Sequence, residues 1–96
     1  MRTYELTVIL RSGAKTEETK NTVKEILSKR GITIKEDQSW GLKRLAYAID
    51  EQKEGFYMFL IVEADPSSIG LIGADFHVNK EILRHMAVVR QDVKTA

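Results

Sequence analysis

The chain contains no cysteine, so disulfides and thiolate metal sites are excluded, a composition that suits a reducing cytosol. No apolar run approaches the roughly 20 residues needed to span a bilayer, and the start lacks the charged-then-apolar layout of a signal peptide. The expectation is a chain that stays inside the cell and off the membrane. There is also little excess charge: 15 Lys and Arg against 14 Asp and Glu leave +1. An anionic partner must therefore be met by local clustering of cations, not by a general positive field. Only one proline occurs, which leaves long stretches free to form regular elements. With 96 residues the chain reads as one domain, 1–96, ending in a short polar tail at 91–96 that is expected to fray.

What is present is a clear order of elements. In residues 3–11, Tyr4, Leu6, Val8 and Leu10 alternate with Thr3, Glu5 and Thr7, the period of a half-buried strand, with Ile9 the exception. A helix follows. Thr16 is the expected cap, Glu17 and Glu18 suit its positive end, and Val23, Ile26 and Leu27 form its apolar stripe beside Thr19 and Thr22. Gly31 is a ready C-terminal stop.

The second strand is expected over 32–50, with an interruption. Ile32 and Ile34 lie on one parity, whereas Leu45, Tyr47 and Ile49 lie on the other. A strand cannot keep one apolar face through such a change without a bulge or break, and Gly41 is the natural place for it. The polar run Lys35–Ser39 suits a sheet edge. Residues 50–55 read as a polar hairpin loop. Residues 56–63 are apolar on both parities, which marks a central strand covered on both sides. Asp65 and Pro66 open a second helix, the carboxylate as its cap, with Ile69, Ile72 and Phe76 as the buried stripe. A last strand covers 83–90.

Strand, helix, strand, strand, helix, strand is the split β-α-β, or ferredoxin-like, order (βαββαβ). It is an α+β fold with two helices on one face of a four-stranded antiparallel sheet. The other face would carry Ile9, Tyr57, Phe59 and Ile61, an apolar patch of the kind that marks a protein-partner surface.

Chemistry is sparse. Gly13-Ala14-Lys15-Thr16 lies where an anion-binding loop would, but it lacks the glycines of the nucleotide motif and reads as an ordinary turn. His77 and His85 have no ligand spacing, so no metal site and no cofactor are assigned. No serine has a histidine neighbour in sequence that would suggest a nucleophile and its base, and the carboxylates spread over helix surfaces and loops. No catalytic residues are assigned. The cations are more suggestive. Lys43 and Arg44, adjacent on a strand, must point to opposite faces. Arg2 and Arg11 bracket the first strand and Arg84, His85 and Arg90 the last, so the four arginines are expected to share one edge and to suit structured RNA. Base stacking on the sheet is disfavoured, because Glu5 would lie on that face and repel a backbone.

The run Gly41-Leu42-Lys43-Arg44-Leu45-Ala46-Tyr47-Ala48-Ile49 resembles the signature of the sixth protein of the bacterial small ribosomal subunit. The opening Met1-Arg2-Thr3-Tyr4-Glu5, Gly55-Phe56-Tyr57, Phe76 through Asn79, Leu83-Arg84-His85 and Val88-Val89-Arg90 are similar to that family as well. Asp50 departs from its pattern, which usually has a basic or small residue there. The resemblance implies the same split fold and a cytoplasmic, non-enzymatic ribosomal protein. Such a protein binds the central domain of small-subunit ribosomal RNA together with the eighteenth small-subunit protein, without a small-molecule substrate. By motif position it makes Lys43, Arg44, Arg84 and His85 candidate RNA or partner contacts. Arg2 and Arg90 join the RNA candidates as cations bracketing the outer strands. Fold alone leaves two other readings, a small-molecule regulatory module and an acylphosphatase-type enzyme. The latter would need an anion-cradling first loop, for which only Arg11 stands near.

Overall fold

A computed structural model describes residues 2–49 and 52–90 of the chain, with the side chains of residues 46–49 and 52 outside that description. The elements are β1 (Arg2–Arg11), α1 (Thr16–Lys29), β2 (Thr33–Asp37), β3 (Gly41–Ile49), β4 (Gln52–Ala64), α2 (Pro66–His77) and β5 (Ile82–Val89). All pairings are antiparallel. The sheet runs β2-β4-β1-β5, and β3 also pairs with β4. The expected second strand is thus two strands sharing one edge of β4, which makes five strands instead of four.

The division does not keep one apolar face through the parity change as expected, because Leu45 meets Gly55 beside Ile9 on the side away from the helices. Ile34 lies opposite Val62 and Leu42 opposite Phe56, both on the helix-covered side. Between them the chain spends extra residues: the pairing shifts register between Ile34 and Glu36, and Gly41 takes a φ of +81° that a side chain would resist. Gln38 and Trp40 still donate backbone hydrogen bonds to Phe59 and Tyr57, so the edge is bent without being lost.

The hairpin is longer than the sequence suggests. Gln52–Gly55, expected as loop, belong to β4, with Arg44 directly opposite Glu54. Opposite charges directly across a ribbon stabilise it by roughly 0.2–1 kcal/mol, so a polar run can continue the strand pairing that the sheet body has already started. Because β1 ends with Arg11 opposite Gly55, this ribbon runs beyond the sheet body. Asp50 and Glu51 lie outside the described residues.

Tyr4, Leu6, Val8 and Leu10 of β1 and Met58, Leu60, Val62 and Ala64 of β4 face the helices. They pack with Val23 and Leu27 of α1 and Ile72 and Phe76 of α2, as the two apolar stripes require. At the end of α1, Gly31 at φ +72° lets its own amide reach Ser28 O and the amide of Ile32 reach Leu27 O, the paired bonds of a Schellman stop. The two expected side-chain caps are not made. Thr16 faces backward, its hydroxyl accepting from the Gly13 amide and lying 3.1 Å from Arg11 O, so it ties the loop instead. Asp65 sits at the cap position of α2 without a side-chain capping bond, and its carbonyl receives Ser68 N and Ile69 N.

Candidate macromolecular interface

The face away from the helices is best described by rows across the sheet. One row is Gly41, Tyr57, Ile9 and Arg84; the next holds Phe59, Thr7 and Met86; a third is Glu36, Ile61, Glu5 and Val88. Beyond the first row stand Lys43, Gly55 and Arg11. The patch expected here is present but not open. Ile61 is 6% exposed and Ile9 8%, a floor in place of a surface. Ile9 is closed over because its side chain and that of Leu45 converge on Gly55 from two strands. Tyr57 and Phe59 are half-buried beneath Trp40, whose indole stacks on both at centroid distances of 5.9 and 5.5 Å, within 21° and 16° of parallel.

What meets solvent is Trp40 at 54%, Met86 at 55% and Val88 at 49%. Sequence reasoning assigned none of these a role. Residues 83–90 are apolar on both parities, so alternation alone does not say which side faces water. Trp40 sits in the break between two strands, where neither period applies; its only signal is a lone tryptophan directly before the signature glycine. Beside Tyr57 and Ile9 lies a cavity of about 270 Å³, lined by Thr7, Ile9, Tyr57, Arg84, His85 and Met86.

The candidate cations are separated by the fold. Arg84 is exposed in the Tyr57 row, and Lys43 lies on the same face with Nζ 6.0 Å from the Trp40 ring centroid. Arg44 points to the other side of the ribbon, as adjacency requires. The four arginines expected along one edge instead form two ends. Arg11 is near Arg84, while Arg2 and Arg90 are near each other, because nine residues of β1 span about 30 Å. Arg11 is held by Glu81, 3.8 Å from its Nε, and Arg2 shares the parity of buried Tyr4 and so lies on the helix side. Asp50 and residues 91–96 lie outside the described residues.

His85, offered as a contact beside Arg84, lies on the opposite face. Its ring meets Phe76 edge-on at 5.3 Å and lies against Gly73, where a Cβ would stand at contact distance, 3.4 Å from Nε2. Burial, and secondly the nearby His77, lower its pKa below the ordinary 6.5. The unfolded chain then takes up this proton at a higher pH than the folded one. Stability from this group is present above about pH 6.5 and is lost as pH falls through the folded pKa. Urea midpoints measured from pH 7.5 down to 5 should fall, and His85→Gln should flatten the decline. An unchanged slope in that variant would assign it to other groups.

The helices carry their own ion pair. Arg30 grips Asp75 through Nε and Nη2 at 2.7 and 2.9 Å, joining α1 to α2 and drawing the Asp75 carboxyl below its usual range. Among the described residues, no three His, Asp or Glu side chains gather to hold a metal.

A split β-α-β sheet with one face buried by helices and the other left with a stacked aromatic strip and charged borders defines a ferredoxin-like α+β domain with one sheet face uncovered by helices. Known proteins make that class specific. The model of the family described as ribosomal protein S6 matches residues 3–89. Small ribosomal subunit protein bS6 of Leptospira biflexa is 38% identical over 88 residues, covering 92% of this chain and 96% of that one. The bS6 of Dehalococcoides mccartyi is 35% identical over 91 residues, covering 92% and 84%. The crystal structure of 30S ribosomal protein S6 from Thermotoga maritima superposes with a TM-score of 0.82 at 27% identity, over 93% of this chain and 87% of that one. The C-terminal domain of MgtC from Mycobacterium tuberculosis, at 12% identity and a TM-score of 0.64, shares the fold alone.

The chain belongs to the ribosomal protein S6 family. Membership gives it a structural role in the small ribosomal subunit, in the bacterial cytoplasm.

Proposed function

We propose that this chain binds the central domain of small-subunit ribosomal RNA together with the eighteenth small-subunit protein, as an assembly component that catalyses nothing. The observation that carries the reading is the sheet face: exposed Trp40, Met86 and Val88 border exposed Arg84 and Lys43. Apolar area of this kind supports protein docking, and the adjoining cations support phosphate contacts. A net charge of only +1 limits how many phosphates the chain neutralises alone. Affinity should therefore be modest without a cationic partner and cooperative with one.

A gel-shift titration on central-domain RNA, with and without that partner, tests this. Equally tight binding by the lone chain at elevated salt would remove the cooperative element. Arg84→Ala should weaken assembly on RNA about tenfold and lower the salt slope by about one, while the urea midpoint stays put. Unchanged assembly would take Arg84 out of the interface.

A further inference from the structure

The proposed docking leaves open which part of the face takes protein and which takes RNA, and the rows across the sheet divide it. Glu36 and Glu5 lie directly opposite Ile61 on its two neighbouring strands, so two carboxylate-bearing positions about 10 Å apart flank a flat apolar floor. Trp40 rises beside that floor over Phe59, and Val88 continues the Glu5 row on β5. A third carboxylate, Glu63, stands one row further and is bridged to Lys35 at 3.3 Å; Arg90 is exposed at the far corner of the same end. At the other end Lys43 and Arg84 flank Tyr57 and Ile9.

We infer that the Glu5–Ile61–Glu36 half of this face seats a cationic, apolar-anchored segment of the protein partner, leaving the Lys43–Arg84 half to phosphate. The inference rests on the docking function proposed above. A segment bearing Lys or Arg places an aliphatic stem on Ile61 and its charge between the two glutamates, with the outer rim of the Trp40 indole available for a cation–π contact. The same two carboxylates repel an RNA backbone, so phosphate is directed to the opposite end. A second copy of this chain fits less well. The face measures about 14 Å across its strands by 13 Å between the end rows. A dimer through it would bury well under the roughly 1,200 Å² of a stable interface. The same small area makes a protein partner depend on shared RNA contacts, which agrees with cooperative binding.

Trp40 is the only tryptophan, so its fluorescence reports on this half of the face directly. The test titrates the full chain with the eighteenth small-subunit protein, first without RNA and then with central-domain RNA, reading Trp40 emission and acrylamide quenching. Docking should shift the emission to the blue and reduce quenching. The variant Glu5→Gln/Glu36→Gln, both positions surface carboxylates, should weaken the protein–protein step about tenfold and flatten its salt dependence. Its RNA affinity should hold or rise. Trp40→Ala should cost about thirtyfold or more in the same step. Because that variant also loses a stacking contact, its urea midpoint is measured alongside, and the glutamine variant decides if it is unfolded. Undiminished partner binding by the glutamine variant, or an unmoved Trp40 spectrum on a complex that does form, would overturn the division of the face while leaving cooperative assembly intact. Failure of the unaltered chain to bind the partner with or without RNA would overturn both.

Discussion

Phe76→Ala should lower stability by about 3–5 kcal/mol. Phe76 is fully buried in the core that joins α2 to the sheet, and its ring also covers His85 edge-on. Helix α2 has little to fall back on. Gly70 and Gly73 each weaken it by about 1 kcal/mol relative to alanine, and no side chain caps its start. A domain of this size is stable by about 5–15 kcal/mol in all, so the variant should melt about 15–30 °C lower and populate the unfolded state measurably in mild urea. The acid sensitivity assigned to His85 should shrink at the same time, since the burial that lowers its pKa is removed. A loss below about 1 kcal/mol by urea titration would mean that the core collapses around the gap, and that α2 is held mainly by its ion pair with Arg30.

Gly55→Val is expected to be the second most damaging change, for the opposite reason. A Cβ at residue 55 would stand 2.6 Å from Ile9 Cγ2 and 3.5 Å from Leu45 Cδ2, in a strand where valine otherwise has the better intrinsic preference. Overpacking costs about 1–3 kcal/mol and strand preference returns at most about 1, so the clash wins. The Ile9 Cγ2 is carried on a β-branched carbon and moves only if χ1 leaves its preferred rotamer, so the strain should move the β3–β4 ribbon that carries Lys43. Partner and RNA binding should fall with stability. The pairing is checked by a double-mutant cycle: Gly55→Val with Ile9→Ala should lose less than the sum of the two single losses by at least 0.5 kcal/mol. Strict additivity would show that the valine is harmful through the backbone and not through Ile9.

Both changes concern positions whose importance was visible in the chain to different degrees. Phe76 is legible from spacing alone, since Ile69, Ile72 and Phe76 fall on one side of a helix. Gly55 is not, because nothing in a polar run between two strands says that Ile9, far away in sequence, will lie against it. The Arg84–His85 pair shows the same limit. Adjacency on a strand requires opposite faces, but which of the two faces the helices depends on the register with β1, where Arg84 falls opposite Ile9 and His85 opposite Val8.

The order of elements, the two helix stripes, the central place of the strand from Phe56 to Glu63 and the break at Gly41 were all readable from local rules. Period and glycine act over a few residues, and this chain states them clearly, whereas the side-chain caps expected at Thr16 and Asp65 are not made. The functional face required three dimensions. Glu36, Ile61 and Glu5 come from three strands, and Trp40 acquires its position only when the broken edge folds it over Tyr57 and Phe59. A binding surface is a sum of contributions from distant segments, and register, which no short window of residues carries, is the quantity that brings them together.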